Sequence, residues 1–151
     1  DLLEALESEI SEFSDVTFVA EHKKLKAHKV ILCFRCKYFQ GLLNSGMQES
    51  QQENVSVEMT HSQLKQVIQF IYSDTLPITD PNDSVDLLML ADRFFLNDLK
   101  KLCEVCVRVS LEEDDIPVDQ ILNAYQVAKY HTATELKEWL LANSIAKNIA
   151  K

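Results

Sequence analysis

Within residues 15–39 the spacing between apolar residues changes from two positions to three or four. Apolar residues first occupy every second position up to Ala20, and they do so again at Leu25 and Ala27, after the polar residues 22–24. Alternation of this kind is typical of a half-buried strand, because successive side chains of a strand point to opposite faces. The pattern therefore predicts a β-hairpin.

After the hairpin the apolar period lengthens to three and four residues, which places the apolar side chains on one face of a helix. The residues at these spacings are Val30, Ile31, Phe34, Tyr38, Phe39 and Leu42. The residues Asn44, Ser45 and Gly46 are typical of a helix end. Helices are therefore predicted over 29–43, with a loop after them.

The first thirteen residues have a helical pattern of their own. The apolar face consists of Leu2, Leu3, Leu6, Ile10 and Phe13. Four glutamates, at positions 4, 7, 9 and 12, occupy the rest of the helical wheel. The segment is predicted to be an amphipathic helix whose apolar face packs on another surface.

The remainder of the chain is mostly helical in pattern. A short strand is predicted at 55–59, and Thr60 is suited to cap the helix that follows it. Pro77 and Pro81 exclude a long helix between residues 73 and 84 and leave room for a short extended piece at 76–79. Further helices are predicted at 84–95, 97–110 and 117–130, and a last one from Thr132 or Thr134. The predicted class is α+β, mostly helical.

Composition narrows the possible functions. The chain has 151 residues, 46% of them hydrophobic, which supports one compact domain with a helical appendage. The net charge of −9 disfavours nucleic-acid binding, because phosphates would be repelled. No apolar run approaches the ~20 residues that cross a bilayer. Four cysteines without secretory features predict reduced thiols, in the cytoplasm or nucleus.

The sequence contains two C-x-x-C motifs, Cys33 with Cys36 and Cys103 with Cys106. Their four thiolates could bind a zinc ion, or one pair could be redox-active. Zinc ribbons separate such pairs by about 15–20 residues on tight turns. Here both pairs lie in apolar helical runs that are far apart in the chain, so buried core cysteines are favoured. A zinc-dependent fold remains the alternative from another class.

Enzymatic sites find little support in the sequence. His28 lies between the hairpin and a helix, where its imidazole can bond buried backbone groups, so a structural role is favoured. The chain has two glycines, too few for a phosphate-binding loop, and no G-x-S-x-G word. No cofactor, metal site or catalytic residue is predicted, and the chain is expected not to be an enzyme.

Several short sequence motifs occur in an order that is typical of one protein family. They are A-H-K-V-I-L at 27–32, Y-F at 38–39, G-M-Q-E-S at 46–50, I-Y-S-D at 71–74, L-A-D-R-F at 90–94 and L-K-K-L-C at 99–103. In these words the chain resembles BTB/POZ domains of the cullin-3-binding type, with the following 3-box or BACK-like helices. The resemblance implies a short three- to four-stranded sheet flanked by helices and a C-terminal helical pair.

The resemblance also implies a domain layout and partners. Residues 1–14 would be a dimerisation helix, 15–110 the BTB/POZ core and 117–151 the 3-box or BACK-like pair. The homodimer interface would contain Leu2, Leu3, Leu6, Ile10 and Phe13, and the cullin-3 site would contain Met47, Gln48, Glu49 and Phe94. The chain would then be a substrate adaptor of a ubiquitin ligase, with the substrate protein captured by a domain outside it.

An alternative within the same family is a scaffold that recruits transcriptional co-repressors or other partners without binding a cullin. Such scaffolds usually lack the helices that follow the core. The predicted helical pair at 117–151 and the Met47–Glu49 word therefore favour the cullin adaptor.

Overall fold

The computed structural model describes residues 13–44, 54–76, 81–112 and 115–145, with the side chains at 81–82 and 144–145 excluded. Contacts within the chain divide it into two compact units, Asp1–Thr75 and Leu76–Lys151. Each unit is described by itself.

The first unit contains a three-stranded sheet. Strand β1 (Val16–Ala20) pairs antiparallel with β2 (Lys23–Ala27) and parallel with β3 (Asn54–Ser56), giving the order β2-β1-β3. Glu21 and His22 join β1 to β2 with φ angles of 51° and 64°. Positive φ at both residues matches the twist of the hairpin. The predicted hairpin is confirmed. Its turn consists of Glu21 and His22, whereas the sequence pattern placed it at the polar residues 22–24.

Among the described residues of this unit, three helices accompany the sheet. Helix α1 (Lys29–Arg35) and helix α2 (Lys37–Asn44) are separated by Cys36, whose backbone is extended. Helix α3 (His61–Ser73) begins with a capping box, in which Thr60 Oγ1 accepts from the Gln63 N–H and Gln63 Oε1 accepts from the Thr60 N–H. The predicted Thr60 cap is confirmed, while Ser45 and Gly46 of the predicted helix end lie outside the described residues.

The inner face of β1 lies in the core of this unit. Val16, Phe18 and Ala20 alternate with half-buried residues, as the sequence pattern predicted. The Phe18 and Phe39 rings contact each other with centroids 5.3 Å apart. Aromatic pairs at this separation add to the stability gained from burial.

The second unit is helical within the residues described. It contains α4 (Pro81–Arg93), α5 (Asn97–Leu111), α6 (Val118–Tyr130) and α7 (Thr134–Trp139), and α7 continues as a wider π-helical segment, Leu140–Ile145. These helices confirm the sequence pattern, while the proposed extended piece at 76–79 lies mostly outside the described residues. The class α+β, mostly helical, is confirmed.

Helix α4 begins three residues before the start predicted at Ser84. Proline is favoured in the first helical turn, because the missing N–H has no partner there in any case. Ser84 consequently lies inside the helix and is fully buried, and its Oγ has no hydrogen-bond partner within the described residues.

The core of the second unit is built from apolar residues of all four helices. The most deeply buried are Leu87, Leu88, Ala91, Phe94, Leu99, Cys103, Ala128 and Leu140. Among the helices described, none combines the length and apolar character needed to cross a membrane.

Candidate functional site

Most residues of the two predicted protein contacts lie outside the described part of the chain. Met47, Gln48 and Glu49 fall between the end of α2 and the start of β3. Leu2, Leu3, Leu6 and Ile10 precede the first described residue. For these residues the assignments stay predictions. Phe13 is described and is 91% exposed.

The corner between α4 and α5 separates two adjacent aromatic residues. Phe94 is fully buried, and the Arg93 guanidinium carbon lies 5.8 Å from its ring centroid. Phe95 is 66% exposed. A buried ring has no surface to offer a partner, so the structure argues against Phe94 as a contact residue. Phe95 is the exposed aromatic of this corner.

Backbone geometry explains this separation. The Leu96 N–H donates to the Ala91 carbonyl across the end of α4, and Phe95 between them has a φ of 58°. This arrangement is a Schellman-type helix end, in which the left-handed position is usually glycine. A phenylalanine there costs roughly 1–2 kcal/mol of backbone energy. The reversal turns the Phe95 side chain away from the core that holds Phe94.

A polar cluster, which we call the Asp92 clasp, lies beside this corner and consists of Asp92, Lys100 and His131. Asp92 Oδ1 accepts from Lys100 Nζ at 2.9 Å, and Asp92 Oδ2 lies 2.8 Å from His131 Nδ1. Three helices meet here, because Asp92 is near the end of α4, Lys100 is in the first turns of α5 and His131 ends α6. The clasp therefore joins the segment after residue 117 to the α4–α5 corner.

The two partners alter the ionisation of Asp92. Burial raises the pKa of this carboxyl, but the hydrogen bonds and charges of Lys100 and His131 outweigh burial and leave the pKa below its ordinary value. The carboxylate form is thus favoured in the fold. Because Lys100 and His131 are mostly buried, their bonds to Asp92 are screened less than those of a surface pair.

A second carboxylate joins α5 to α7. Glu104 Oε1 accepts from the Leu136 N–H at 3.4 Å, near the start of α7, whose own N-cap residue Ala133 has no capping side chain. Burial raises the pKa of Glu104, the bond from Leu136 lowers it, and the net shift is upward. The α6–α7 pair therefore has two polar connections to α4 and α5.

An exposed apolar pair on α1 was not recognised from the sequence. Val30 is 74% exposed and Phe34 is 89% exposed, whereas Leu32 is fully buried. The sequence placed Val30 and Phe34 on one helix face, and in the structure this face is exposed. Four-residue spacing places the two side chains next to each other on the helix surface. We call this pair the α1 apolar face.

Basic residues surround the α1 apolar face in sequence. Lys23, Lys24 and Lys26 are exposed on β2, and Arg35 and Lys37 are exposed where α1 gives way to α2. Arg35 forms an ion pair with Asp74, which ends α3. This part of an otherwise acidic chain is thus positively charged.

His28 takes part in a structural junction. Its backbone N–H donates to the Tyr72 hydroxyl at 2.9 Å, and its Nδ1 lies 3.0 Å from the same oxygen. The next N–H, that of Lys29, donates to Asp15 Oδ1 at 2.8 Å. Burial raises the pKa of Tyr72, although the bond from His28 opposes the shift. Side chains from distant parts of the chain therefore accept the hydrogen bonds of the backbone N–H groups at the start of α1. The His28 imidazole lies within hydrogen-bond distance of the Tyr72 hydroxyl.

None of the four cysteines is paired in a disulfide bond. Cys36 and Cys103 are buried, and Cys33 and Cys106 are partly buried. Burial is the main cause that raises the pKa of each thiol, to about 12 for Cys103. Raised values keep the thiols protonated and poorly nucleophilic. Within the described residues no group of three or more His, Cys, Asp and Glu side chains is placed to hold a metal ion.

Comparisons with known proteins give relatives of the chain and of the fold. The family model described as the BTB/POZ domain matches residues 3–111. The chain is 31% identical over 127 residues to BTB/POZ domain-containing protein 9 of Drosophila melanogaster, a match that covers 83% of this chain and 17% of that protein. It is 40% identical over 93 residues to the protein of the same name from Bos taurus, covering 59% and 15%. The chain thus spans less than a fifth of the length of these relatives.

Solved structures agree with this match. The BTB domain of human gigaxonin superposes with a TM-score of 0.55 at 25% identity, and the match covers 68% of this chain and 84% of that one.

Proposed function

This chain belongs to the BTB/POZ domain family, whose members are protein–protein interaction modules, and we propose that it forms a homodimer and binds cullin-3 as the adaptor half of a ubiquitin ligase. In this proposal the chain binds and positions partners and catalyses no reaction. It would act in the cytoplasm or nucleus. A domain outside the chain would capture the protein to be ubiquitinated.

The observation that carries the cullin proposal is the exposure of Phe95 at the α4–α5 corner. Phe95 combines a ring that is 66% exposed with a left-handed backbone position, which costs a residue other than glycine roughly 1–2 kcal/mol. Such rings are enriched among the residues that dominate binding energy. We therefore assign to Phe95 the contact that the family resemblance suggested for Phe94, and the roles of Met47, Gln48 and Glu49 stay as the resemblance implies.

The Asp92 clasp supports a role for the helices after residue 117. It joins the end of α6 to the α4–α5 corner through a 2.8 Å contact between His131 and Asp92. A fixed position for α6 and α7 would pre-organise a wider surface for the cullin and reduce the entropy lost on binding. In this proposal residues 117–151 extend the contact that Phe95 begins.

The α1 apolar face supports the homodimer. Two neighbouring side chains exposed by 74% and 89% gain free energy when a second copy covers them. In a two-fold dimer the same face of both copies meets, so the face formed by Val30 and Phe34 would pack against the same face of the second copy. The predicted N-terminal helix, with its four glutamates, complements the lysines near this face in charge. We propose that this helix completes the interface.

Both parts can be tested in one experiment, which is size-exclusion chromatography with light scattering. The chain is measured alone and mixed with the N-terminal region of cullin-3. A dimer alone and a two-to-two complex in the mixture are expected. A folded dimer that ignores the cullin would overturn the adaptor proposal and favour the scaffold alternative.

Two variants assign the surfaces. Phe95→Ala is expected to weaken cullin binding by about 1–3 kcal/mol, the range of an interface hot spot, while Gln40→Ala, which truncates an exposed uncharged side chain of α2, serves as its control. Phe34→Asp is expected to give a folded monomer. Its control, Gln40→Asp, adds the same charge to an exposed position of α2 and is expected to leave the dimer intact.

A further inference from the structure

Helix α5 has apolar residues on its core face and on a second face that is partly exposed. Leu99, Cys103 and Val107 are buried on the inner face. On the outer face Leu102, Val105 and Val109 are 40%, 46% and 56% exposed. A helix at the surface of a domain normally has charged or polar residues opposite its core face. The outer face of α5 therefore has the composition of an interface.

The spacing of the outer residues matches a helix-pairing pattern. Leu102, Val105 and Val109 follow one another by three and then four residues, which is the spacing of the a and d positions in a coiled coil. Lys101 and Arg108, seven residues apart, occupy the position directly before each a residue. That position is g of the heptad, where charges select the partner helix.

Both basic side chains are exposed, and neither forms an ion pair within the described residues. Along the helix axis they are about 10 Å apart. They lie on one side of the apolar stripe, and the Glu104 carboxylate between them along the helix accepts from the Leu136 N–H. Lys101 and Arg108 favour acidic groups on a partner. The charge of −9 on the whole chain does not remove this preference, because at physiological ionic strength charges more than about 8 Å apart are largely screened.

We propose that the outer face of α5 binds an acidic amphipathic helix of another protein. The apolar residues of the partner would pack on Leu102, Val105 and Val109. Its carboxylates, spaced by seven residues, would pair with Lys101 and Arg108. The face is distinct from Phe95 and from the α1 apolar face, so this inference does not depend on the cullin or dimer proposals.

The test uses two designed peptides of three heptads, both with leucine at positions a and d. One carries glutamate at e and g, and the other carries lysine there, so that like charges oppose self-association of either peptide. Each is titrated into the isotope-labelled chain at physiological ionic strength, and amide NMR shifts are recorded. The glutamate peptide is expected to shift signals of the α5 outer face and to bind at least tenfold more tightly than the lysine peptide.

Variants make the test specific. The double substitution Lys101→Glu and Arg108→Glu is expected to reverse the preference between the two peptides. Val105→Glu is expected to abolish binding. Leu122→Ser, which removes a similarly exposed apolar residue from α6, is the control and is expected to change neither affinity. Thermal unfolding of every variant confirms that the fold is retained.

Four outcomes would overturn the proposal. These are failure of both peptides to bind, equal or tighter binding of the lysine peptide, retention of the peptide preference after the charge reversal, and shifts confined to other helices. A loss of self-association in Val105→Glu, measured by light scattering, would instead assign the face to a second copy of this chain.

Discussion

The backbone N–H of His61 donates a 2.7 Å hydrogen bond to Oε1 of Glu21, which lies 40 positions earlier in the hairpin turn. The bond places a carboxylate at the N-terminus of α3, where the helix dipole favours negative charge. Asp15 at the start of α1 and Glu104 near the start of α7 repeat the arrangement. Distant carboxylates thus fix three helix starts to other elements.

Replacing Glu21 with glutamine tests the contribution of this bond. A neutral amide can still accept the hydrogen bond but interacts less with the helix dipole, so Glu21→Gln is expected to lower the free energy of unfolding by about 0.3–1 kcal/mol. Glu21→Ala removes the acceptor as well and is expected to cost about 0.5–2 kcal/mol, as for the loss of an N-cap. Urea unfolding measures both. Equal stability of all three proteins would show that the bond contributes nothing.

The Asp92 clasp predicts a pH dependence of stability. The folded-state pKa of Asp92 is below its ordinary value, so the unfolded state binds more protons around and below pH 3.8. The clasp therefore contributes its full stability above the ordinary pKa and loses it as the pH falls through the folded-state value. Because the Asp92 side chain is 36% exposed, screening limits this contribution to under about 1 kcal/mol.

Asp92→Asn is the variant that measures it. At neutral pH the variant is expected to be less stable than the parent chain, and the difference should shrink as the pH is lowered through 3.8 and below. Urea unfolding at a series of pH values records the difference. Asp86→Asn, which neutralises an exposed carboxylate on the same helix, is the control. A difference that stays constant over the whole pH range would contradict the assignment.

Replacing Ser84 with alanine is expected not to lower the free energy of unfolding. Its hydroxyl is fully buried and has no hydrogen-bond partner among the described residues, and a buried polar group without a partner costs about 1–3 kcal/mol. Ser84→Ala removes the group and improves helix propensity, so the free energy of unfolding should rise by about 1 kcal/mol.

Ser110→Ala provides the comparison, because the Ser110 hydroxyl donates to the Val107 carbonyl at 2.7 Å. That variant is expected to gain less stability. If Ser84→Ala destabilised the chain, the hydroxyl would have to make a bond that is not present among the described residues.

Much of the fold was predictable because local patterns determined it. Alternation located the hairpin, and Thr60 as a capping residue located the start of α3, where the structure adds the Gln63 half of a capping box. The long-range carboxylate bonds were not predictable, since nothing near Glu21 in the sequence points to His61. Such bonds arise only when the core brings distant segments together.

The functional surfaces were harder to predict for a different reason. Periodicity shows that α1 has apolar residues at helical spacing, but it does not show whether Leu32 or Phe34 faces the core. A helix of seven residues is too short for the pattern to decide. The loop containing Met47 and Glu49 has no periodicity at all, and its assignment depends on family resemblance.

Variants of the adjacent residues Phe94 and Phe95 test which of the two rings is buried at the α4–α5 corner. Composition cannot distinguish them, whereas the structure buries one and exposes the other at 0% and 66%. Phe94→Ala is expected to cost about 3–5 kcal/mol of unfolding free energy, as for other buried aromatics. Phe95→Gly relieves the positive φ and should leave stability unchanged or raise it by about 1 kcal/mol. Thermal and urea unfolding of the two variants measure the contrast, and a larger loss in Phe95→Gly than in Phe94→Ala would mean that the two rings have been assigned to the wrong sides of the corner.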